Sequence, residues 1–239
     1  MTIPGWQSRT ELLIGKENLE KLAASHVLIA GLGGVGGYVA EQLCRAGIGT
    51  LTLIDHDLVQ PSNINRQIIA LHSSCNKYKV ELIETRLKDI NPGIETNLLF
   101  DYLKDDNIDQ ILDREYDYIV DAIDTLTPKV NFLEKAFNRK HNIVSSMGAG
   151  GRKDPSCIEI SDISKSHHCK FAYIVRKYLH RKGIYKGIKV VFSYESVRKD
   201  AIQETDGSEN KRSIVGTISY MPAIFGCYCS SVVINDLIK

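Results

Sequence analysis

Apolar and polar positions follow two rhythms along this chain, and through the first 150 residues the rhythms take turns. His26-Val27-Leu28-Ile29-Ala30 is a short apolar run ending in Gly31, and from Val35 to Leu43 apolar residues recur at helical spacing, which predicts strand, tight turn and helix. Leu51 to Ile54 repeats the strand pattern. Lys77 to Ile90 reads as an amphipathic helix with Val80, Leu82, Ile83, Leu87 and Ile90 on its apolar face, stopped by Asn91-Pro92-Gly93. Thr96 to Phe100 predicts a third strand, Asp105 to Leu112 a helix and Tyr116 to Ala122 a fourth strand. Pro128 to Arg139 predicts a proline-opened helix, and Asn142 to Ser146 a fifth strand. Strict alternation of this kind predicts an α/β fold, a Rossmann-like and mainly parallel sheet with helices on both faces. In such a sheet the ligand lies at the C-terminal ends of the strands, where Gly31, Asp55, Asp121 and Asp124 all fall.

Past Gly148-Ala149-Gly150-Gly151 the rhythm changes. Cys157 to Asp162 and Lys189 to Tyr194 read as strands around a basic helix, Lys170 to Arg181. Arg198 to Arg212, with Asp206-Gly207-Ser208 and little apolar content, reads as a mobile surface loop. Ile214 to Ile234 is mostly apolar, but Pro222, glycines and hydroxyls interrupt it, so strand, turn and buried helix are predicted rather than a membrane span. The simplest organisation is one domain over 1–239, with a core over 1–150 and a mixed C-terminal extension over 151–239.

At 239 residues, 43% hydrophobic and 25% charged, the composition is that of a soluble globular chain able to bury a sizeable core. Net charge is only +1, yet residues 165–212 hold twelve Lys or Arg against five Asp or Glu. That segment fits either a polyanionic partner on one face or a solvated basic loop. The start of the chain lacks a basic segment followed by an apolar one, so no secretory signal is expected and a cytoplasmic location is. The six cysteines form no Cys-x-x-Cys pair, which speaks for free thiols and against structural zinc.

Gly31-Leu32-Gly33-Gly34-Val35-Gly36 lies between strand and helix, where glycines let the backbone approach a phosphate and helix N–H groups favour its charge. Gly31, Gly33, Gly34 and Gly36 are therefore candidate nucleotide contacts. Asp55 follows at about the twenty-residue distance from which a carboxylate accepts ribose hydroxyls. Arg66, in the polar run Asn63-Ile64-Asn65-Arg66-Gln67, carries the donor fork that binds phosphate oxygens in pairs. Lys79 opens a helix from which an ammonium can reach a triphosphate, the alternative being a solvated lysine. Asp124 is placed to hold Mg²⁺ beside substrate phosphates, and Asp121 can serve either the ligand or a helix cap.

Taken in order, the glycine motif, Asp55-x-Asp57, Asn65-Arg66-Gln67, Lys79 and Asp121-x-x-Asp124 closely resemble the adenylating domain of the ubiquitin-activating-enzyme-like superfamily. The resemblance implies that the glycine loop and Lys79 hold ATP phosphates and that Asp55 holds the ribose. It implies further that Arg66 and Asp124 serve phosphate binding, Mg²⁺ and catalysis, with Asp57, Asn63, Asn65 and Gln67 in the same pocket. Arg9, in Ser8-Arg9-Thr10-Glu11-Leu12, looks like the arginine that such homodimers place across the interface onto the partner's ATP.

Three stretches narrow the likeness: Arg9 to Gly15, Gly148-Ala149-Gly150-Gly151-Arg152-Lys153-Asp154-Pro155, and Phe192-Ser193-Tyr194-Glu195. With them nearly the whole chain resembles the tRNA threonylcarbamoyladenosine dehydratases. The resemblance implies activation of a threonylcarbamoyl carboxylate on adenosine 37 of tRNA as an acyl-adenylate, followed by ring closure with loss of AMP. Lys165, Lys170, Arg176, Lys177, Arg181 and Lys182 would then lie along the tRNA backbone. Phe171, Tyr173, Tyr178 and Tyr185 would stack on loop bases or pack in the core. Some relatives are linked with cysteine desulfurases, so a sulfur-acceptor partner is admitted, and Cys169 is a minor candidate nucleophile.

The nearest rival is adenylation of the C-terminus of a ubiquitin-like sulfur-carrier protein. An NAD-dependent oxidoreductase would account for the glycines and Asp55 but leave Arg66, Lys79 and Asp124 without roles. A third reading is a non-catalytic tRNA-binding module on the same fold.

Overall fold

In the computed structural model, residues 4–204 and 213–239 are described. Seven strands form one sheet: β1 (His26–Ala30), β2 (Thr50–Ile54), β3 (Glu95–Leu99), β4 (Tyr118–Asp121), β5 (Ile143–Ser146), β6 (Ile158–Asp162) and β7 (Lys189–Ser193). Their spatial order is β3-β2-β1-β4-β5-β7-β6, and only the pairing of β6 with β7 is antiparallel. Order reverses between β1 and β4, which opens a crevice at the strand C-termini where α/β sheets bind ligands. Gly31 follows β1 and Ala122 follows β4, so the glycine loop enters that crevice.

Continuous apolar strands are what a sheet covered on both faces requires, and alternate side chains divide between two cores. Val27, Ile29, Leu51 and Leu53 face α3 (Gly36–Ala46), α4 (Lys79–Ile90) and the long terminal helix α8 (Tyr220–Leu237). Leu28, Ala30, Ile54 and Ile119 face α5 (Asp105–Leu112), α6 (Leu126–Asn138) and α7 (Lys170–Arg181). The extension is thus no separate lobe, since β7 and β6 prolong the sheet and α8 packs on α3.

Two N-terminal helices, α1 (Ser8–Ile14) and α2 (Lys16–Ala24), belong to no predicted element. Gly15, at φ +81°, separates them. The predicted loop over Arg198–Arg212 is structured where described: a turn at Lys199–Ala201 leads to β8 (Ile202–Glu204), paired antiparallel with β9 (Ser213–Val215). Asp206-Gly207-Ser208 lies outside the described residues. Ile214 to Ile234 becomes the end of β9, a turn and α8, and no described helix is long and apolar enough to cross a membrane.

Candidate active site

The loop after β1 is shaped by its neighbours. Gly31, at φ +89°, would place a Cβ 2.9 Å from the Ala122 carbonyl oxygen, and one on Gly36 would come 1.8 Å from the Gly31 oxygen. Gly34 lies under Pro222 of α8, whose Cβ is 2.9 Å from where a side chain would start. Gly33 differs, because a Cβ there would meet only Gln67 Nε2, at 3.7 Å. The fold leaves its Cα side open, as close approach of a ligand phosphate requires.

Asp55, 8% exposed at the end of β2, holds this loop from below. Its Oδ2 accepts from the Leu32 N–H at 2.7 Å and its Oδ1 from the Asp57 N–H at 2.8 Å. Burial pushes its carboxyl up from the usual carboxylate range, against the opposing pull of Lys79 and these two amides. Lys79, the first residue of α4, is only 5% exposed and donates to Asp57 Oδ2 at 2.6 Å, with Asp55 Oδ1 at 3.8 Å. It is an interior cation between two carboxylates, not a solvated lysine. Asp55, His56 and Asp57 bring donor atoms within 4.8 Å of one another, and Lys79 pairs with both carboxylates of that group.

Arg66 is half-buried, and its guanidinium donates to the Ser62 carbonyl and to Asn65 Oδ1, both at 2.8 Å. Asn65 in turn donates to the Thr217 carbonyl at 2.9 Å, tying this loop to the segment ahead of α8. Asn63 accepts from the Gln60 N–H, closing the turn that leads into Arg66. Gln67 is buried, and its Oε1 finds no partner among the described residues, so the loop carries a spare acceptor beside Gly33.

Across the crevice, Asp121 and Asp124 separate in role. Asp121 is fully buried: Lys129 Nζ lies 2.7 Å from its Oδ2, Ser145 donates to the same oxygen at 2.6 Å, and the Ile123 N–H to Oδ1 at 3.0 Å. It sits beneath the site as a brace, where the sequence reading had it face the ligand or cap a helix. Lys129, equally buried, also donates to the Ile123 carbonyl and lies 5.8 Å from the centre of the Phe171 ring. No sequence signal marked Lys129, because a lysine in an amphipathic helix ordinarily faces water. Asp124 is exposed, two residues beyond the Ala122 carbonyl that touches Gly31.

Arg9 is exposed on α1, which packs on α2 and the turn before it. In the basic segment Lys165, Lys170, Lys177 and Arg181 are exposed, while Lys182 pairs with Glu134. Arg176 is half-buried and donates to the Ser166 and Ile163 carbonyls, stapling α7 to the preceding turn. Of the four aromatics, Tyr173, Tyr178 and Tyr185 are exposed. Arg176 and Arg181 lie over the rings of Tyr173 and Tyr178 at 5.9 and 5.2 Å. Cys169 is buried at the start of α7, and burial pushes the Cys44 and Cys229 thiols up to about 12, so neither is a poised nucleophile.

Comparison with known proteins identifies the family. Residues 7–239 match the family model described as the ThiF family. The chain is 38% identical to the tRNA threonylcarbamoyladenosine dehydratase of Bacillus subtilis, over 97% of this chain and 94% of that protein. It is 36% identical to the Escherichia coli protein of that name, over 80% of this chain and 75% of that one. Crystal structures of the E. coli tRNA N6-threonylcarbamoyladenosine dehydratase superpose at 32% identity with TM-scores of 0.89 for the AMP complex and 0.88 for the ATP complex. Both cover all of this chain, and 98% and 97% of the respective structures. A glycine cradle at the sheet's switch point, a buried lysine among carboxylates and this whole-chain likeness have one explanation: the chain belongs to the ThiF family.

Proposed function

We propose that this protein is an ATP-dependent dehydratase that cyclises N6-threonylcarbamoyladenosine at position 37 of tRNA through a carboxyl adenylate. The open Cα side of Gly33, in a loop bordered by the Arg66 carbonyl at Gly34 and held through Asp55 by Lys79, is the observation that carries the ATP part of the reading. Relatives that share 97% and 80% of the chain and bear this dehydratase name supply the substrate.

The carboxylate attacks the α-phosphate and pyrophosphate departs, leaving an acyl-adenylate. The carbamoyl group of the same side chain then attacks the activated carbonyl and AMP leaves, so the nucleoside has lost one water. With both groups on one substrate, orientation rather than a protein nucleophile accelerates closure. The Arg66 fork binds phosphate oxygens in pairs. Lys79 swings from Asp57 to meet charge gathering on the phosphates. Asp124 would hold Mg²⁺, which supplies further neutralisation of that charge when bound.

Exposed Lys165, Lys170, Lys177 and Arg181, with Tyr173 and Tyr178 between them, offer phosphate contacts and stacking faces to tRNA. Reaction on tRNA implies the cytoplasm. Leu12 and Leu13 of α1 are 88% and 83% exposed beside Arg9, a face that suits a second copy of the chain and would carry Arg9 to the partner's nucleotide. A sulfur-acceptor partner gains no support from the buried Cys44, Cys169 and Cys229.

Purified protein given ATP and tRNA bearing threonylcarbamoyladenosine should release AMP and pyrophosphate in step with a nucleoside lighter by one water, read by mass spectrometry. An unchanged nucleoside, together with pyrophosphate exchange driven by a small carrier protein, would refute the reading.

A further inference from the structure

The loop that follows β5 walls a cavity of about 300 Å³ close to the loop that carries Arg66. Gly151, Arg152, Lys153, Glu195, Arg198 and Gly216 are among its walls. Its nearness to Arg66 is traced by hydrogen bonds: Asn65 donates to the Thr217 carbonyl, and the neighbouring Gly216 carbonyl accepts from the Gly151 N–H at 2.7 Å. The wall is held tightly. Gly151 is at φ +74°, with Val197 Cγ1 only 2.4 Å from where its Cβ would stand, so the chain entering Arg152 has little room to move.

Arg152 is only 5% exposed, and its charge is unbalanced. One Nη1–H donates to the Ser193 carbonyl, Nε has no acceptor, and no carboxylate among the described residues pairs with it. The acidic groups of the cavity are engaged elsewhere. Glu195 Oε2 accepts from the Lys153 and Asp154 N–H groups at 2.9 and 2.8 Å, and Asp200 is held by the Arg198 guanidinium. Burying a guanidinium without a partner anion is strongly unfavourable, so a rigid site that does so is built for an anionic ligand. A cavity of this size is large enough to take a small appended group.

Resting on the proposed reaction, we propose that Arg152 binds the carboxylate of the threonylcarbamoyl group in this cavity, so that the enzyme recognises the modification by its charge before activating it. Unmodified adenosine lacks the anion and leaves the guanidinium unpaired, which is how a buried polar site rejects an analogue. Lys165, Lys170, Lys177 and Arg181 supply affinity that is blind to the modification.

The test compares three RNAs by equilibrium binding with ATP absent: tRNA with the free threonylcarbamoyl carboxylate, the same tRNA with that carboxylate converted to its methylamide, and tRNA with plain adenosine 37. The wild-type protein should prefer the free carboxylate over both others by roughly 10- to 100-fold, the range of a charged hydrogen bond. Arg152→Met should erase the preference and keep the weaker affinity for the other two, and Arg152→Lys should keep part of it. No preference in wild type, or its survival in Arg152→Met, would overturn the proposal. An equal loss on all three RNAs would also overturn it, by assigning Arg152 to a backbone phosphate. Should Arg152→Met fail to fold, judged by its melting curve and ATP binding, the wild-type comparison and Arg152→Lys decide. Failure of the wild-type protein to release AMP on the first RNA would instead defeat the proposed function and leave the carboxylate preference to be read separately.

Discussion

Replacing Lys129 by methionine isolates the brace beneath the site. Lys129 and Asp121 are both fully buried, 2.7 Å apart, and Met occupies a similar volume, so the change removes a charge without opening much of a cavity. What remains is an Asp121 carboxylate held only by the Ser145 hydroxyl and the Ile123 N–H. Breaking a buried pair from one side costs about 3–5 kcal/mol. For a chain of 239 residues each kcal/mol shifts Tm by about 2–4 °C, so a drop of roughly 6–20 °C is expected by calorimetry. Replacing both members, Asp121→Asn with Lys129→Met, removes the stranded charge and should restore several degrees relative to Lys129→Met alone. ATP affinity of Lys129→Met should fall as well, because Ile123 loses its hold and leads from Ala122, against Gly31, to Asp124. A melting point within about 3 °C of wild type, or a double variant that drops by the sum of the two singles, would refute the brace.

Gly33→Ala should change stability by less than about 1 kcal/mol and still weaken ATP binding, whereas Gly36→Ala, facing the Gly31 oxygen at 1.8 Å, should unfold or strongly destabilise the protein; urea melts and ATP titration separate the two. Burial alone would raise the Asp236 carboxyl, but hydrogen bonds from Lys189, Lys239 and the Tyr118 hydroxyl hold it down at about 2. Since the folded value lies below the ordinary 3.8, this stabilisation is present above about pH 4 and is lost as pH falls toward 2. Asp236→Asn should therefore cost roughly 2 kcal/mol at neutral pH and progressively less below pH 4, as urea melts across pH would show. Lys177→Ala and Arg181→Ala should each lower the salt slope of tRNA binding by about 1 with Tm unchanged, whereas Arg176→Ala should lower Tm through loss of its carbonyl bonds to Ser166 and Ile163.

The sheet was legible because its signals are local. The central parallel strands β1, β2, β4 and β5 are buried on both faces and read as apolar runs, and the helices that cover them show their stripes. The positions of the glycine loop and Asp55 were legible for a related reason: each stands at a strand end, where position along the sequence is position along the crevice. What escaped depends on long-range packing. That Lys129 is interior follows from Asp121 and Ser145, on two neighbouring strands, meeting it from below. That Arg176 staples a turn, while Lys177 next to it faces water, follows from where α7 rests. Helices α1 and α2 were missed because α1 buries no side chain and α2 only Leu19 and Leu22, too little apolar surface to mark a face.

The C-terminal extension is where sequence position and spatial position part most. Counted along the chain, Pro222 is distant from the glycine loop, yet its ring covers Gly34, and the absence of a side chain at Gly226 lets α8 cross α3 beside the Val35 carbonyl. Thr217, just ahead of α8, accepts from Asn65, and Gly216 holds Gly151. One short segment therefore touches the phosphate loop, the Arg66 loop and the wall of the Arg152 cavity. A change in any of the three is felt by the others through packed backbone rather than a flexible linker. This arrangement suits a reaction in which a group appended to a large RNA must meet the α-phosphate of a separately bound nucleotide: the segment that frames one site also fixes its distance from the other.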